Sequence, residues 1–293
     1  MANQEIVLGN VCINEKAKPY FIAEIGINHN GDIQIAKRLI DAAYATGWDC
    51  VKFQKRTPEI AVPEIQKNKQ KSTPWGNMTY LEYKKRIEFG KDEYDYIDKY
   101  CIEKPILWTA SAWDIPSLEF LLSYDIPFIK IASALNQDNE MIKMAGQSGK
   151  PILLSTGMST LEDIDHSVEL LEKYADGNYI LMHTNSVYPT PYTQLNIRMV
   201  QTLKERYHCL VGYSGHEENL EPSVIAAAMG AKVIERHVTL SHDMWGSDQK
   251  ASLEIHAMDL LHKRIDNIEE MLGDGIKRLS EEEMEKRMSL RGN

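Results

Sequence analysis

A short apolar stretch followed by a helical stretch recurs eight times along the 293-residue chain, and this repeat constrains the fold more than any other feature. The apolar stretches predict strands at residues 20–26, 49–54, 105–110, 127–132, 151–155, 179–183, 209–213 and 232–235. Nearly every residue in them is apolar, as expected for parallel strands that are covered on both faces. Eight such units over about 250 residues predict an α/β fold of the (β/α)8 TIM-barrel type.

A doubly wound open sheet is the alternative architecture for the same repeat. It is disfavoured because no Gly-x-Gly-x-x-Gly sequence follows any of the strands. Residues 5–15 predict a short N-terminal β-hairpin that turns at Gly9 and Asn10, and residues 56–83 predict a polar excursion over one end of the barrel. We expect a single barrel domain over residues 1–275 and a charged, solvated tail over residues 276–293.

Charge and hydropathy argue against several classes of partner and location. The formal net charge is −10, which disfavours nucleic acid or an anionic membrane as the main partner. No apolar run approaches the ~20 residues of a transmembrane helix, and the first residues lack the pattern of a signal peptide. The four cysteines are scattered without a Cys-x-x-Cys pair, which favours reduced thiols and a cytoplasmic location.

Polar residues stand at or just beyond the carboxyl end of every predicted strand. They are Glu24, Asn28, Lys52, Gln54, Thr109, Ser111, Lys130, Ser133, Ser155, Thr156, His183, Asn185, Ser214, His216, Glu235 and His237. At a single strand, a polar residue that enters a loop is the ordinary explanation. In a (β/α)8 barrel, however, the carboxyl ends of the strands carry the chemistry, so eight converging ends favour a functional site.

Two lysines and three serines in this set predict an anion site. Lys52 and Lys130 lie inside apolar runs, where an unpaired ammonium is costly, so each needs a negative partner. Ser133, Ser155 and Ser214 add hydroxyl and nearby backbone N–H donors of the type that hold phosphate. The expected ligand is a small phosphorylated anion.

The alternative is that each lysine pairs with a barrel glutamate, Glu24 or Glu235, for purely structural reasons.

On the other side of the barrel axis, His216 and His237 end neighbouring strands close to Glu24. Two neutral imidazoles with oxygen ligands suit Mn²⁺, Mg²⁺, Fe²⁺ or Zn²⁺ and leave positions open for substrate or water. The residues therefore suggest that a phosphorylated substrate meets a carbonyl group activated by a metal.

Eight segments resemble motifs of the sialic acid synthase family, in order, between about residue 6 and residue 272. They are residues 23–29 (AEIGINH), 51–54 (VKFQ), 129–133 (IKIAS), 155–158 (STGM), 188–192 (YPTPY), 212–216 (GYSGH), 235–237 (ERH) and 245–248 (WGSD). The resemblance implies condensation of phosphoenolpyruvate (PEP) with N-acetylmannosamine or a related amino sugar, giving a nonulosonic acid and phosphate. It also implies a divalent metal, Mn²⁺ or Mg²⁺.

The roles known in the family transfer to the matching residues. The resemblance makes His216 and His237 the metal ligands. It gives catalytic roles to Glu24, Lys52, Lys130 and Tyr188. It places at the substrates Gln54, Asn77, Ser133, Ser155, Asn185, Ser186, Ser214 and Asp248, among which Gln54 and Asp248 face the sugar and Asn77 matches only loosely.

Three departures from the family pattern stand out. Leu135 replaces an acid that binds the sugar in commoner members, and Ser186 replaces an asparagine near PEP, with Asn185 one position earlier. The antifreeze-like domain, whose arginine reaches over the partner subunit's site, is expected to be absent. Without this domain, we expect either an acceptor that differs from N-acetylmannosamine or a separate chain that supplies the lid. The resemblance also implies a homodimer, although the missing domain usually contributes to that interface.

Two other functions fit the same residues. Other PEP-dependent aldol-type synthases share the barrel but accept phosphorylated sugars, and they need further Arg and Lys residues for the acceptor phosphate. The sequence shows no such second basic cluster. A non-catalytic barrel that binds a sugar or a partner is the remaining alternative, disfavoured because the charged residues, serines and histidines are all present.

Overall fold

The computed structural model describes residues 4–291 and contains twelve strands. They are β1 (Ile6–Leu8), β2 (Val11–Ile13), β3 (Tyr20–Gly26), β4 (Cys50–Lys55), β5 (Gln70–Thr73), β6 (Gly76–Thr79), β7 (Leu107–Ala112), β8 (Ile129–Ile131), β9 (Ile152–Ser155), β10 (Tyr179–Thr184), β11 (Val211–Gly215) and β12 (Val233–His237). Eight of them form a closed, wholly parallel barrel in the order β3, β4, β7, β8, β9, β10, β11, β12. The predicted (β/α)8 barrel is confirmed, with strand ends displaced by at most two residues.

Helices follow the barrel strands and cover their outer face. They are α1 (Ile33–Ala45), α2 (Pro58–Ala61), α3 (Glu64–Lys67), α4 (Tyr80–Ile87), α5 (Lys91–Glu103), α6 (Ile115–Leu122), α7 (Asn139–Gln147), α8 (Leu161–Ala175), α9 (Met199–Tyr207), α10 (Glu221–Ala228), α11 (Ile255–Asp266), α12 (Ile268–Leu272) and α13 (Glu281–Arg291). Helix α1 is typical: Asp32 caps its first turn, and Ala36, Leu39 and Ile40 are buried on one face. The larger hydrophobic core lies between these helices and the strands.

The barrel interior changes from apolar to polar along the strands. Inward residues near the amino ends, such as Ile22 and Cys50, form an apolar cluster inside the barrel. Two residues further along, on the same face of each strand, stand Glu24 and Lys52. The period of two therefore places the ionised groups in the upper layer of the barrel, above an apolar floor.

The N-terminal hairpin closes the opposite end of the barrel. Strands β1 and β2 pair antiparallel around Gly9 and Asn10, as predicted. Ile6, Leu8 and Ile13 are buried and belong to the interior cluster. The hairpin thus seals the amino ends of the strands and keeps water away from the floor beneath the polar layer.

The polar segment 56–83 folds into α2, α3, the β5–β6 hairpin and the start of α4. Tyr83 and Ile87 of α4 pack with Ile27 and Trp245, both in loops at the carboxyl end of the barrel. The segment therefore covers part of the barrel mouth.

Residues 276–291 are exposed, and α13 buries no side chain. Residues 1–3 and 292–293, which belong to the predicted domain and tail, lie outside the described residues. Over residues 4–291, no helix combines the length and apolar character needed to cross a membrane.

Candidate active site

A cavity of about 230 Å³ opens at the carboxyl ends of the barrel strands. The predicted site residues that line it are Glu24, Lys52, Gln54, Lys130, Ser133, Ser155, Ser186, Tyr188, Ser214, His216 and His237. The two lysines, the serines and the two histidines, predicted from separate strands, thus share one cavity.

Lys52 lies in the floor of the cavity and is paired with carboxylates. Its Nζ is 2.6 Å from Glu24 Oε2 and 3.6 Å from Glu235 Oε1, and it donates to Ser111 Oγ at 2.9 Å. Burial opposes its charge, but Glu235 and Glu24 outweigh burial and raise the pKa of Lys52. For this lysine, the pairing with barrel glutamates is the geometry observed.

Lys130 is held differently. Its Nζ donates to Ser155 Oγ at 2.6 Å and lies 3.8 Å from Glu235 Oε1, at the outer limit of an ion pair. Burial outweighs the attraction of Glu235 and lowers the pKa of Lys130 to about 8. Ser214 donates to the same Glu235 oxygen at 3.0 Å.

Glu235 is ionised in spite of its burial. Lys130 and Lys52 together outweigh the desolvation of its carboxyl group and lower its pKa to about 2. Its second oxygen, Oε2, is buried without a hydrogen-bond partner among the described residues. The two ammonium groups and the two carboxylates of Lys52, Lys130, Glu24 and Glu235 sum to zero charge, so an incoming anion meets a neutral cluster rich in donors.

Gly157 leaves room for hydroxyl groups at the cavity wall. The Gly157 N–H donates to Ser133 Oγ at 3.1 Å. A Cβ at Gly157 would lie 2.4 Å from Ser186 Oγ and 2.7 Å from Ser133 Oγ, so only glycine permits this approach. The hydroxyls of Ser133 and Ser186 thus meet at the cavity wall within reach of an anion, and the Gly157 N–H positions the first of them.

The two histidines face each other across the mouth of the cavity. Their ring centroids are 5.4 Å apart. His216 Nδ1 donates to the Asn185 carbonyl oxygen at 2.5 Å, which leaves Nε2 as the acceptor for the Tyr188 hydroxyl at 2.8 Å. Burial, and then His237, lower the pKa of His216 to about 3, so its imidazole is neutral at working pH.

These residues fit a divalent metal with few protein ligands. His237 Nδ1 is buried without a partner among the described residues, and two imidazoles that share an ion at ~2.1 Å put their centroids roughly 5 Å apart. Over residues 4–291, no group of three or more His, Cys, Asp or Glu is placed to hold a metal. The protein therefore offers two nitrogen donors, His237 Nδ1 and the His216 Nε2 that accepts from Tyr188. The Tyr188 hydroxyl would have to move aside for a bound ion, whose other ligands would be water or substrate.

A second cavity of about 490 Å³ adjoins the first. Gln54, Trp113 and Tyr188 line both cavities. Gln54 Nε2 donates to Glu24 Oε1 at 3.1 Å, so a hydrogen bond links the wall shared by the two cavities to the charged residues of the first cavity. Asp248, predicted to face the sugar, lines the second cavity.

The structure places the other predicted residues elsewhere. Asn77 is exposed on β6 and lines neither cavity. The Asn185 side chain donates to the Gln194 carbonyl, so Asn185 contributes its backbone oxygen to His216. Among the strand-end residues, Asn28, Thr109 and Thr156 bind backbone carbonyl groups and hold loops and strands together.

Leu135, which stands where commoner family members have a sugar-binding acid, lines the second cavity. The sequence indicated no second basic cluster, but two cations, Arg56 and Lys84, line this cavity together. Arg56 follows β4 by one residue and could have been included with the strand-end set. Lys84 lies on a helix of the excursion, and its position depends on how that segment folds over the barrel.

Comparison with known proteins agrees with this geometry. The NeuB family model matches residues 39–277. An N-acetylneuraminate-9-phosphate synthase of Drosophila melanogaster is 37% identical over 251 residues, or 85% of this chain and 67% of the relative. An N,N'-diacetyllegionaminic acid synthase of Campylobacter jejuni is 33% identical over 270 residues, or 91% of this chain and 81% of the relative. The crystal structure of an N-acetylneuraminic acid synthetase from Leptospira borgpetersenii, in complex with citrate, superposes with a TM-score of 0.87 at 32% identity and covers 99% of both chains.

Proposed function

The chain belongs to the NeuB family, and from this premise we propose that it is a metal-dependent synthase that condenses PEP with an N-acyl hexosamine-type sugar, N-acetylmannosamine or a relative. The products are a nonulosonic acid and phosphate. The observation that carries the proposal is one cavity that holds Lys130 and its hydroxyl donors opposite His216 and His237. An anion site and a Lewis-acid site in contact suit a phosphorylated nucleophile and a carbonyl acceptor.

The lysines and serines that line the first cavity would bind PEP. Lys130 and Lys52 face its negative charge, while the Ser133 and Ser155 hydroxyls donate to its oxygen atoms and the Gly157 N–H holds Ser133 Oγ in place. Since burial strengthens each of these interactions, the groups also stabilise the charge that develops on the departing phosphate.

The reaction would proceed by cleavage of the C–O bond of PEP. C3 of PEP attacks the aldehyde carbon, and water then adds to C2, which carries the positive charge. The C2–O bond to phosphate breaks, phosphate leaves with the electron pair, and the C2 hydroxyl gives up its proton and becomes the ketone. Of the two protons of the added water, one reaches the former aldehyde oxygen and the other reaches the phosphate. Glu24, close to His237 beside Gly26, would accept the proton of the attacking water, and Lys52, 2.6 Å away, would hold the Glu24 carboxyl group in position.

His216 and His237 would hold Mn²⁺ or Mg²⁺, and such an ion supplies Lewis-acid polarisation of the aldehyde. Asn185 orients His216 through its carbonyl oxygen, and Tyr188 packs on the His216 ring at 3.9 Å between centroids. Tyr188 also lines both cavities and so stands between the two substrates.

Phosphate release tests the proposal directly. Purified protein supplied with PEP, Mn²⁺ and N-acetylmannosamine or related N-acyl sugars should release phosphate only when a sugar is present. Treatment with EDTA should stop the release, and Mn²⁺ should restore it. Release that persists in EDTA would contradict the metal, and the absence of condensation with any acylated mannosamine-type or bacillosamine-type sugar would contradict the synthase.

His216→Ala separates a synthase from a sugar-binding scaffold. A synthase loses turnover by orders of magnitude, whereas a scaffold keeps its sugar affinity and has no turnover to lose. His166→Ala is the matched control, because His166 is exposed on α8 and bonds only to Asn139.

A further inference from the structure

Arg56 is a buried cation that lacks an anionic partner. Only 4% of its surface is exposed, and its guanidinium group lies 4.9 Å from the Trp113 ring. Its Nη2 donates to Gln54 Oε1, whereas its Nη1 is buried without a hydrogen-bond partner. Among residues 4–291, no carboxylate lies within ion-pair distance of this guanidinium. A buried guanidinium with an unused donor is costly unless an acceptor reaches it.

Lys84 lines the same cavity and also lacks a carboxylate in ion-pair contact within the described residues. Its Nζ lies over the rings of Tyr80 and Tyr83, at 5.3 and 5.5 Å from their centroids. Burial, and then the charge of Arg56, lower the pKa of Lys84 to about 7. The two cations therefore act on each other, and an anion between them would relieve the repulsion.

The nearby carboxylates do not satisfy these cations. Glu88 accepts from Lys55 Nζ and from the backbone N–H of Arg56, both at 2.9 Å. Asp248 lines the cavity, but its Oδ1 accepts from the Ser247 hydroxyl. Two cations thus face one carboxylate in the second cavity, which leaves it with net positive charge when Lys84 is protonated.

We propose that Arg56 and Lys84 form a second anion site that binds a phosphate group on the acceptor sugar. The proposal rests on the proposed function, because it identifies the second cavity as the acceptor site. A sugar whose C1 lies at the wall shared by Gln54 and Tyr188 extends its far end into this cavity. In a hexosamine that far end is the C6 hydroxyl, so the structure points to an N-acyl hexosamine 6-phosphate.

The test compares N-acetylmannosamine 6-phosphate with N-acetylmannosamine, in turnover with PEP and Mn²⁺ and in calorimetric binding without PEP. The wild type should favour the 6-phosphate in kcat/KM and bind it more tightly. A hydrogen bond to a charged group is worth ~1.5–3 kcal/mol, so Arg56→Gln should weaken binding of the 6-phosphate by about tenfold or more. Binding of the unphosphorylated sugar should change far less.

Two controls make the comparison specific. Lys85→Gln removes a neighbouring charge that is exposed and paired with Glu59, and it should leave the ratio between the two sugars unchanged. Arg56→Lys keeps a cation and should restore part of the preference. Thermal unfolding of each variant shows whether it is folded before its ratio is interpreted.

The outcomes separate this proposal from the proposed function. Turnover of both sugars with equal kcat/KM, or a ratio unaffected by Arg56→Gln, would overturn the phosphate site and leave the synthase intact. Arg56-dependent binding of the 6-phosphate without turnover of either sugar would support the phosphate site and contradict the synthase. If the wild type turns over sugar and binds the 6-phosphate more tightly, and Arg56→Gln loses this preference in binding, both the phosphate site and the synthase would be supported.

Discussion

Lys52 and Lys130 differ in how much of their charge is available to a ligand. Lys52 has a carboxylate oxygen at 2.6 Å, whereas the carboxylate nearest to Lys130 is at 3.8 Å. The Coulomb energy of an ion pair falls with distance, so Glu24 neutralises Lys52 more completely than Glu235 neutralises Lys130. We therefore expect Lys130 to be the main cation for PEP and Lys52 to keep Glu24 in position.

The pH dependence of PEP binding tests this assignment. Burial lowers the pKa of Lys130 to about 8 in the free protein, so its positive charge is present below pH 8 and is lost as pH rises through that value. If only the charged form binds, KM for PEP rises roughly tenfold between pH 7 and pH 9. Steady-state kinetics at saturating acceptor measures this change.

Lys130→Arg provides the comparison, because arginine stays protonated throughout this range. The variant should show a flat KM for PEP from pH 7 to pH 9, whatever its absolute value. A flat profile in the wild type would contradict the role given to Lys130.

Gly157→Ala tests the hydroxyl wall. The added Cβ would lie within 2.7 Å of both serine hydroxyls, so they must turn away and the wall loses its present geometry. We expect KM for PEP to rise about tenfold, the equivalent of one good hydrogen bond, while the fold persists. Gly90→Ala is the control, because its Cβ meets only Glu93 Oε2, at 3.3 Å. An unchanged KM in Gly157→Ala would exclude this wall from PEP binding.

The sequence identified most of the polar cavity residues whose position is determined by a strand end, with Arg56 as an exception. Lys130 and Ser214 were found in this way, because the period of two and the barrel topology place them in the upper layer. Lys84 was missed, since its contact with the cavity depends on how residues 56–83 fold. Asn77 was included on a loose match in the same segment and lies outside both cavities.

The β1–β2 hairpin closes the end of the barrel opposite the candidate active site. Leu8 is fully buried and belongs to the interior cluster, whereas Val7, its neighbour on β1, is 53% exposed. Because successive side chains of a strand point to opposite faces, one hairpin strand can close the barrel floor and face solvent at once.

Leu8→Ala should lower the free energy of unfolding by ~2–5 kcal/mol, since it leaves a cavity in the floor. Val7→Ala, on the exposed face, should change it by less than ~0.5 kcal/mol. Urea denaturation of both variants measures the difference. Equal stability of the two variants would mean that the hairpin does not seal the barrel.

The excursion between β4 and α5 is the element that the sequence described least well. Its polar composition correctly indicated that it lies over one end of the barrel, but α2, α3 and the β5–β6 hairpin were not predicted. These elements are only four residues long, and their signals are weak without tertiary contacts. Tyr83 and Trp245, 162 positions apart, meet at 5.2 Å between ring centroids, a contact that local pattern cannot predict.

For the whole molecule, eight repeats of one supersecondary unit predicted the barrel, because few other arrangements bury eight parallel strands on both faces. The topology then brought His216 and His237, 21 positions apart, to 5.4 Å between ring centroids. The sequence does not predict which lysine pairs with which glutamate in the polar layer, because this depends on differences of an ångström or two between side chains.

In the proposed reaction, the barrel joins PEP to an aldehyde sugar with cleavage of the C–O bond of PEP. PEP labelled with ¹⁸O at the oxygen between C2 and phosphorus tests this claim most directly. Mass spectrometry should find the label in the released phosphate, in an amount equal to the nonulosonic acid formed. Label retained in the sugar acid, or phosphate released without any sugar acid, would contradict this reaction.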